Sequence, residues 1–339
     1  MKAVAILAER EVALVDREMP QPGSGEVLVA IRYVGFCGSD LNTYLGKNPM
    51  VQLPIIPGHE IGAVIEKVGA DVPKHIQPGT SCTINPYTSC GSCPSCRNGR
   101  PNACQFNQTF GVQRDGAMCE YKAVPWQKVI VDDKLTPRQL ALVEPMSVGF
   151  HAVSRAQITD LDVVMVIGCG MIGVGALVRA ALRGARVIAV DVDDEKLELA
   201  RQLGAHYTIN SMTENVHARL QEITNEAGPD VVIEAVGAPA TYQMAIAEVA
   251  FTGRVVCIGY AKTEIAFETK FFVMKEMDIR GSRNAMPEDF RAVMEYVKRD
   301  PTIVEKFISG VYAPNQAKEA LSTWAANPGK VFRILVEFK

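Results

Sequence analysis

Residues 163–191 read VVMVIGCGMIGVGALVRAALRGARVIAVD. A short β-branched run at 163–168 predicts a strand that ends on the first of three glycines, Gly168, Gly170 and Gly173. The apolar spacing from Met171 and Ile172 to Arg183 predicts a helix, and Gly184 suits its C′ position, where a left-handed backbone meets no Cβ clash. A second β-branched strand, 186–191, closes on Asp191, 21 residues after Gly170. This is G-x-G-x-x-G in its full context: after a strand, opening a helix, with an acidic residue at the end of the next strand. Gly168 permits the tight turn, Gly170 lets the backbone approach a pyrophosphate, and Gly173 lets helix and strand pack closely. The helix N-terminus offers free N–H groups, those of Met171 and Ile172 among them, and a positive dipole end. Asp191 can accept hydrogen bonds from ribose hydroxyls and would repel a 2′-phosphate, which predicts NAD rather than NADP. The alternative is a glycine turn that serves packing alone.

Outward from this unit the same rhythm continues. A helical 195–204 is followed by a helical 215–227, strand 231–237, helical 241–250 and strand 254–260. Apolar strands alternating with helices imply a parallel sheet covered on both faces. Pro287 then reads as the first position of a helix, with Glu288 and Asp289 complementing its dipole, and VFRILVEF (331–338) as a closing strand. Up to about Val143 the texture is β-like instead: 27–36, 62–69 and 128–132 are short apolar runs between Pro and Gly clusters. The fold class is therefore α/β, a β-rich domain over 1–145, a doubly wound parallel sheet over 146–283, and a tail, 284–339, returning to the first domain.

Composition supports this reading. The chain has 339 residues, 48% hydrophobic and 22% charged, enough for two cores without disulfide staples. Lys and Arg number 35 against 38 Asp and Glu, so no basic excess points to nucleic acid or an anionic membrane. The N-terminus lacks a secretory h-region and cleavage site, and no apolar stretch reaches a membrane span, so the expected location is the cytoplasm. Nine cysteines in such a compartment point to metal or redox chemistry before disulfides.

Four of them, Cys90, Cys93, Cys96 and Cys104, lie in a segment (87–108) without hydrophobic periodicity. Four close thiolates suit a tetrahedral structural zinc, whose binding would order the lobe. Iron or an iron–sulfur cluster would use the same ligands.

Two further motifs complete a pattern: Cys37-Gly-Ser39-Asp40 and Gly58-His59-Glu60. With the lobe, the EP at 144–145 and the dinucleotide fingerprint in that order, the chain resembles the zinc-dependent medium-chain alcohol and polyol dehydrogenases over essentially its whole length. The resemblance implies a GroES-like catalytic domain ahead of a Rossmann NAD domain, and two zinc ions per chain. It places a catalytic zinc on Cys37 and His59, with Glu60 and Glu144 at the acidic ligand positions. Which of the two binds directly stays open. A glutamate at 144, within EPMSVGFHA, matches the sorbitol-dehydrogenase-like branch. The implied chemistry is hydride transfer from a hydroxyl-bearing carbon to NAD, the zinc lowering the hydroxyl's pKa. Ser39 matches the family's hydroxyl relay, or is a turn residue only. Asn42 stands where many members carry a relay His, and Asp40 reads as a brace for the zinc site.

For the substrate, GVQRDGAMCEY (111–121) and RGSRNAMPEDF (280–290) are similar to the L-galactonate and L-gulonate 5-dehydrogenase group. That implies a sugar acid, with Arg283 as a carboxylate partner or a surface ion-pair residue, Gln113 lining the pocket and Arg114 facing solvent. A neutral polyol is the first alternative and L-threonine the second. A non-catalytic zinc-lobe binding module is the alternative from another class. The β-leaning stretch 262–267 is expected to pair with its symmetry mate in a homodimer or a tetramer built from it.

Overall fold

The computed structural model describes residues 1–339, which divide into two units: Met1–Glu144 with Met286–Lys339, and Pro145–Ala285. The divisions fall at 144/145 and 285/286. No helix is long and apolar enough to cross a membrane.

In the second unit six strands form one parallel sheet, in the spatial order Tyr207–Asn210, Arg186–Asp191, Val163–Ile167, Val231–Glu234, Arg254–Cys257, Asp278–Gly281. This is the 3-2-1-4-5-6 order of a Rossmann sheet. Met165, Ile167, Ile188, Val190, Val232 and Val255 fill its core, as strands buried on both faces must. The helix Met171–Leu182 ends as its sequence predicts: Gly184 takes φ +85° and Ala185 N–H donates to Ala180 O at 3.2 Å.

The helix expected over 241–250 runs instead from Pro239 to Glu248, because Pro239 occupies its first turn. The helix Val143–Ala156 was hidden by the β-like texture before it. Two arginines satisfy carbonyls at its C-terminus, Arg254 donating to Ala156 O and Arg280 to Arg155 O, each at 3.1 Å.

The stretch 262–267 is not a strand, which corrects the sequence expectation. Gln243 donates to Ala266 O at 2.9 Å and Phe267 packs edge-on against Phe272 at 5.4 Å, so the stretch is a loop held by local side chains. The outer strand on that side is Asp278–Gly281.

The first unit holds a seven-stranded sheet, ordered Ile308–Tyr312, Arg333–Glu337, Glu26–Phe36, Glu60–Val68, Ser81–Ile84, Val129–Val131, with Tyr121–Pro125 also paired to Glu26–Phe36. Val27, Val29, Ile31, Ile61, Ile65 and Ile334 form its core. The tail contributes to this sheet. The helix Pro287–Arg299 carries Pro287 in its first turn, and Arg333–Glu337 pairs antiparallel with Glu26–Phe36.

Candidate metal centre and dinucleotide cradle

Three neighbouring strands converge on one buried cluster. Glu26–Phe36 ends at Cys37, which opens the helix Gly38–Tyr44, while Glu60–Val68 begins directly after His59. The register sets Gly35 opposite Glu60, and the glycine is needed, because a Cβ there would collide with the Glu60 carboxylate. The ligand atoms of Cys37, His59 and Glu60 all lie within 4.8 Å of one another. His59 and Glu60 are buried. His59 Nδ1, Glu60 Oε2, Asp40 Oδ1 and Ser39 Oγ have no hydrogen-bond partner. Buried polar atoms left unpaired in one place are what a cation would satisfy.

The electrostatics agree. Burial pushes the Cys37 thiol up, but the hydrogen bond and charge of His59 overcome it and bring it down to about 7. Burial alone would depress His59, yet Cys37 and Asp40 hold it well above its ordinary value. A thiolate facing an imidazolium is the metal-free counterpart of a Cys–His pair on zinc. Asp40 accepts from Cys37 N–H at 2.8 Å, which fixes the turn that carries the thiol, and burial raises its pKa.

The sequence reading missed Arg333. It lies on the adjacent strand, 4% exposed, donates to Phe36 O at 2.7 Å and pairs with Glu60 Oε1 at 3.1 Å. Burial pushes Glu60 well above the usual carboxylate range even against this guanidinium. The signal was an arginine set between apolar residues, Phe332 before it and Ile334 after it.

Glu144, in the first turn of its helix, is buried but outside the close set of three, although its charge acts on His59, Glu60 and Arg333. It accepts a hydrogen bond from the Tyr87 hydroxyl, another partner that sequence reasoning missed. Burial and Glu144 hold the Tyr87 phenol well above its ordinary pKa, so it stays the donor.

The ligand sulfurs of Cys90, Cys93, Cys96 and Cys104 likewise fall within 4.8 Å of one another. The Cys90–Cys96 and Cys93–Cys104 sulfurs stand 4.0 and 3.8 Å apart. A disulfide needs about 2.05 Å. Cys93 N–H donates to Cys90 Sγ at 3.3 Å, and backbone N–H groups at Ser92 and Cys93 bring the Cys90 thiol down to about 6. Four thiols at this spacing, one already favouring its thiolate, fit a closed tetrahedral zinc.

In the second unit Gly170 caps the helix Met171–Leu182. Gly168 has φ +92°, and a Cβ there would meet Val236 Cγ2 at 2.6 Å. A Cβ on Gly173 would strike Gly168 O, whereas one on Gly170 meets nothing within 4 Å. The cradle is therefore closed behind and open in front, as a pyrophosphate requires. Asp191 has a task the sequence did not reveal. One carboxylate oxygen accepts from Cys169 N–H at 2.6 Å, the other from Val192 and Asp193 N–H at 2.8 and 3.1 Å. It ties the glycine turn to the neighbouring strand before any ribose arrives.

Arg283 is exposed and follows the carboxyl end of the strand Asp278–Gly281. Gln113 is exposed and accepts from Thr109 N–H at 2.9 Å. Arg114 does not face solvent as expected. It is half-buried, its guanidinium 4.0 Å from the Phe110 ring centroid, because cation–π contact and the Pro86 carbonyl hold it down.

The comparisons with known proteins follow this geometry. Residues 23–133 match the alcohol dehydrogenase GroES-like domain, and residues 172–299 the zinc-binding dehydrogenase domain. L-galactonate-5-dehydrogenase of Escherichia coli K12 is 34% identical over 284 residues, 84% of this chain and 83% of that protein. Sorbitol dehydrogenase of Bacillus subtilis 168 is 32% identical over 320 residues, 92% of this chain and 87% of that one. An alcohol dehydrogenase from E. coli CFT073, solved with NADH, superposes with a TM-score of 0.91 at 27% identity, covering 100% of this chain and 99% of its own. The chain belongs to the zinc-type medium-chain dehydrogenases and is an NAD-dependent, zinc-containing enzyme of their polyol and sugar-acid group.

Proposed function

We propose that the chain oxidises a secondary hydroxyl of a sugar acid of the L-gulonate or L-galactonate type, passing hydride to NAD. The observation that carries this reading is the close set Cys37, His59 and Glu60 in a chain 34% identical to an L-galactonate-5-dehydrogenase. Cys37 and His59, with Glu60 or Glu144, would hold the catalytic zinc, and the four-cysteine lobe a structural one. Zinc would supply Lewis acidity to the substrate hydroxyl, and NAD the hydride acceptor. Asp40 and Arg333 orient the residues around the metal, and Asp191 holds the glycine turn ready for the cofactor. Ser39 Oγ, buried without a partner, is the group offered for moving the hydroxyl proton. The likeness to sorbitol dehydrogenase favours a neutral polyol as the second reading. A homodimer or tetramer is the proposed assembly, and light scattering at micromolar concentration tests it, a monomer contradicting it.

Arg283 separates the two substrates. It lies at the carboxyl end of a parallel sheet, where ligands of such folds bind, and a guanidinium grips a carboxylate through two bonds that Lys does not reproduce. Arg283→Ala should lower kcat/KM for the hexonate by about 10- to 150-fold and leave the weak hexitol rate nearly unchanged. Equal losses on acid and hexitol would remove the carboxylate role.

A further inference from the structure

Tyr87 is 4% exposed, and nothing in the proposed chemistry uses it. It lies in the loop after the strand Ser81–Ile84, three residues before the first lobe cysteine, and its backbone N–H is fixed by Asn85 Oδ1 at 3.1 Å. Its ring meets Phe290 edge-on, with centroids 6.4 Å apart at 73°. Its hydroxyl donates to Glu144 Oε1. Two buried carboxylates, Glu60 and Glu144, thus lie within electrostatic reach of one guanidinium, Arg333, yet Arg333 pairs at 3.1 Å with Glu60. Glu144 has a separate donor, the phenol. Carboxylates that ligate a metal are in turn held by hydrogen bonds. Partners of this kind, one bond behind a ligand, set its orientation and strength.

We infer that Tyr87 is a positioning residue: its hydroxyl holds the Glu144 carboxylate in place for the metal bound by Cys37 and His59. This rests on the proposed catalytic zinc. Tyr87→Phe removes only the oxygen and keeps the ring on Phe290. The test is competition between the full-length protein and a chromogenic chelator for Zn²⁺, which resolves the two zinc ions by affinity. Tyr87→Phe should weaken the Cys37–His59 site by about 10- to 100-fold and leave the lobe zinc unchanged. In a Glu144→Gln background the same substitution should have no further effect. Unchanged zinc affinity would overturn the inference. Tighter binding would also overturn it, because Tyr87 would then be drawing Glu144 away from the metal. So would a parallel loss of lobe zinc, which marks a packing role. A wild-type protein holding only the lobe zinc would overturn the inference together with the catalytic-zinc reading beneath it, whereas the other failures leave that reading standing.

Discussion

Replacing Arg333 with Met is the most direct mechanical test of how the cluster of Cys37, His59 and Glu60 is held. The substitution keeps the stem of the side chain and removes two interactions: the 3.1 Å ion pair with Glu60 and the 2.7 Å bond to Phe36 O. Glu60 is fully buried, so its carboxylate has no water to fall back on. Because burial already holds Glu60 well above the usual carboxylate range, the carboxyl takes up a proton once the guanidinium is gone, and the cost is that of a buried polar group without its partner, about 1–3 kcal/mol. For a unit of this size each kcal/mol shifts the melting temperature by about 2–4 °C, so Arg333→Met should melt about 2–12 °C lower. Both tryptophans, Trp126 and Trp324, belong to the same unit as Arg333, so their fluorescence reports that unit alone. Adding Glu60→Gln to Arg333→Met should change stability by less than about 0.5 kcal/mol, since it exchanges one neutral buried polar group for another. A melting shift below about 2 °C, or a double variant more stable than Arg333→Met by over about 1 kcal/mol, which would mark a stranded charge, would refute the reasoning.

The other predictions concern the lobe, the cofactor and acid stability. Cys104→Ser should lower the zinc content from two ions to one by elemental analysis and destabilise the first unit, Cys104 being one of four sulfurs in a closed set; full retention of both ions would contradict it. Asp191→Ala should weaken NAD binding by about 1.5–3 kcal/mol and narrow the preference over NADP. It should also speed amide exchange at Cys169, whose N–H loses its acceptor, and unchanged exchange would show that the tie is idle. Burial raises the Asp132 pKa, but the Lys298 ammonium and the N–H groups of Lys134 and Leu135 outweigh it, so the carboxyl titrates below its ordinary value. Its contribution to stability is therefore present at neutral pH and is lost as pH falls through the lowered pKa. Asp132→Asn should be less stable than wild type at pH 7, with the difference closing below about pH 4; a gap that persists there would contradict the assignment.

What could be read in the sequence was local. The glycine turn, the strand before it and the helix after it lie within one short stretch, so propensity and chemistry coincide. The four lobe cysteines are equally local. What escaped was built by tertiary pairing. Arg333 reaches Glu60 only because the returning tail lies beside Glu26–Phe36 in the sheet. Tyr87 meets Glu144 through a loop whose sequence carries no periodicity. The strand Asp278–Gly281 is DIRG, poor in strand formers, and exists because Arg254–Cys257 offers it a ladder. The stretch 262–267 has better propensity and no such partner.

The central claim is that this enzyme takes hydride from a sugar acid to NAD, and a side-by-side rate measurement tests it most directly. Zinc-replete protein is given NAD with L-galactonate, L-gulonate, galactitol, sorbitol or L-threonine, and NADH formation is followed. The account predicts the highest kcat/KM for a hexonate, at least about tenfold above either hexitol, the value of one lost charge-assisted contact. A hexitol or threonine oxidised faster than both hexonates would contradict it.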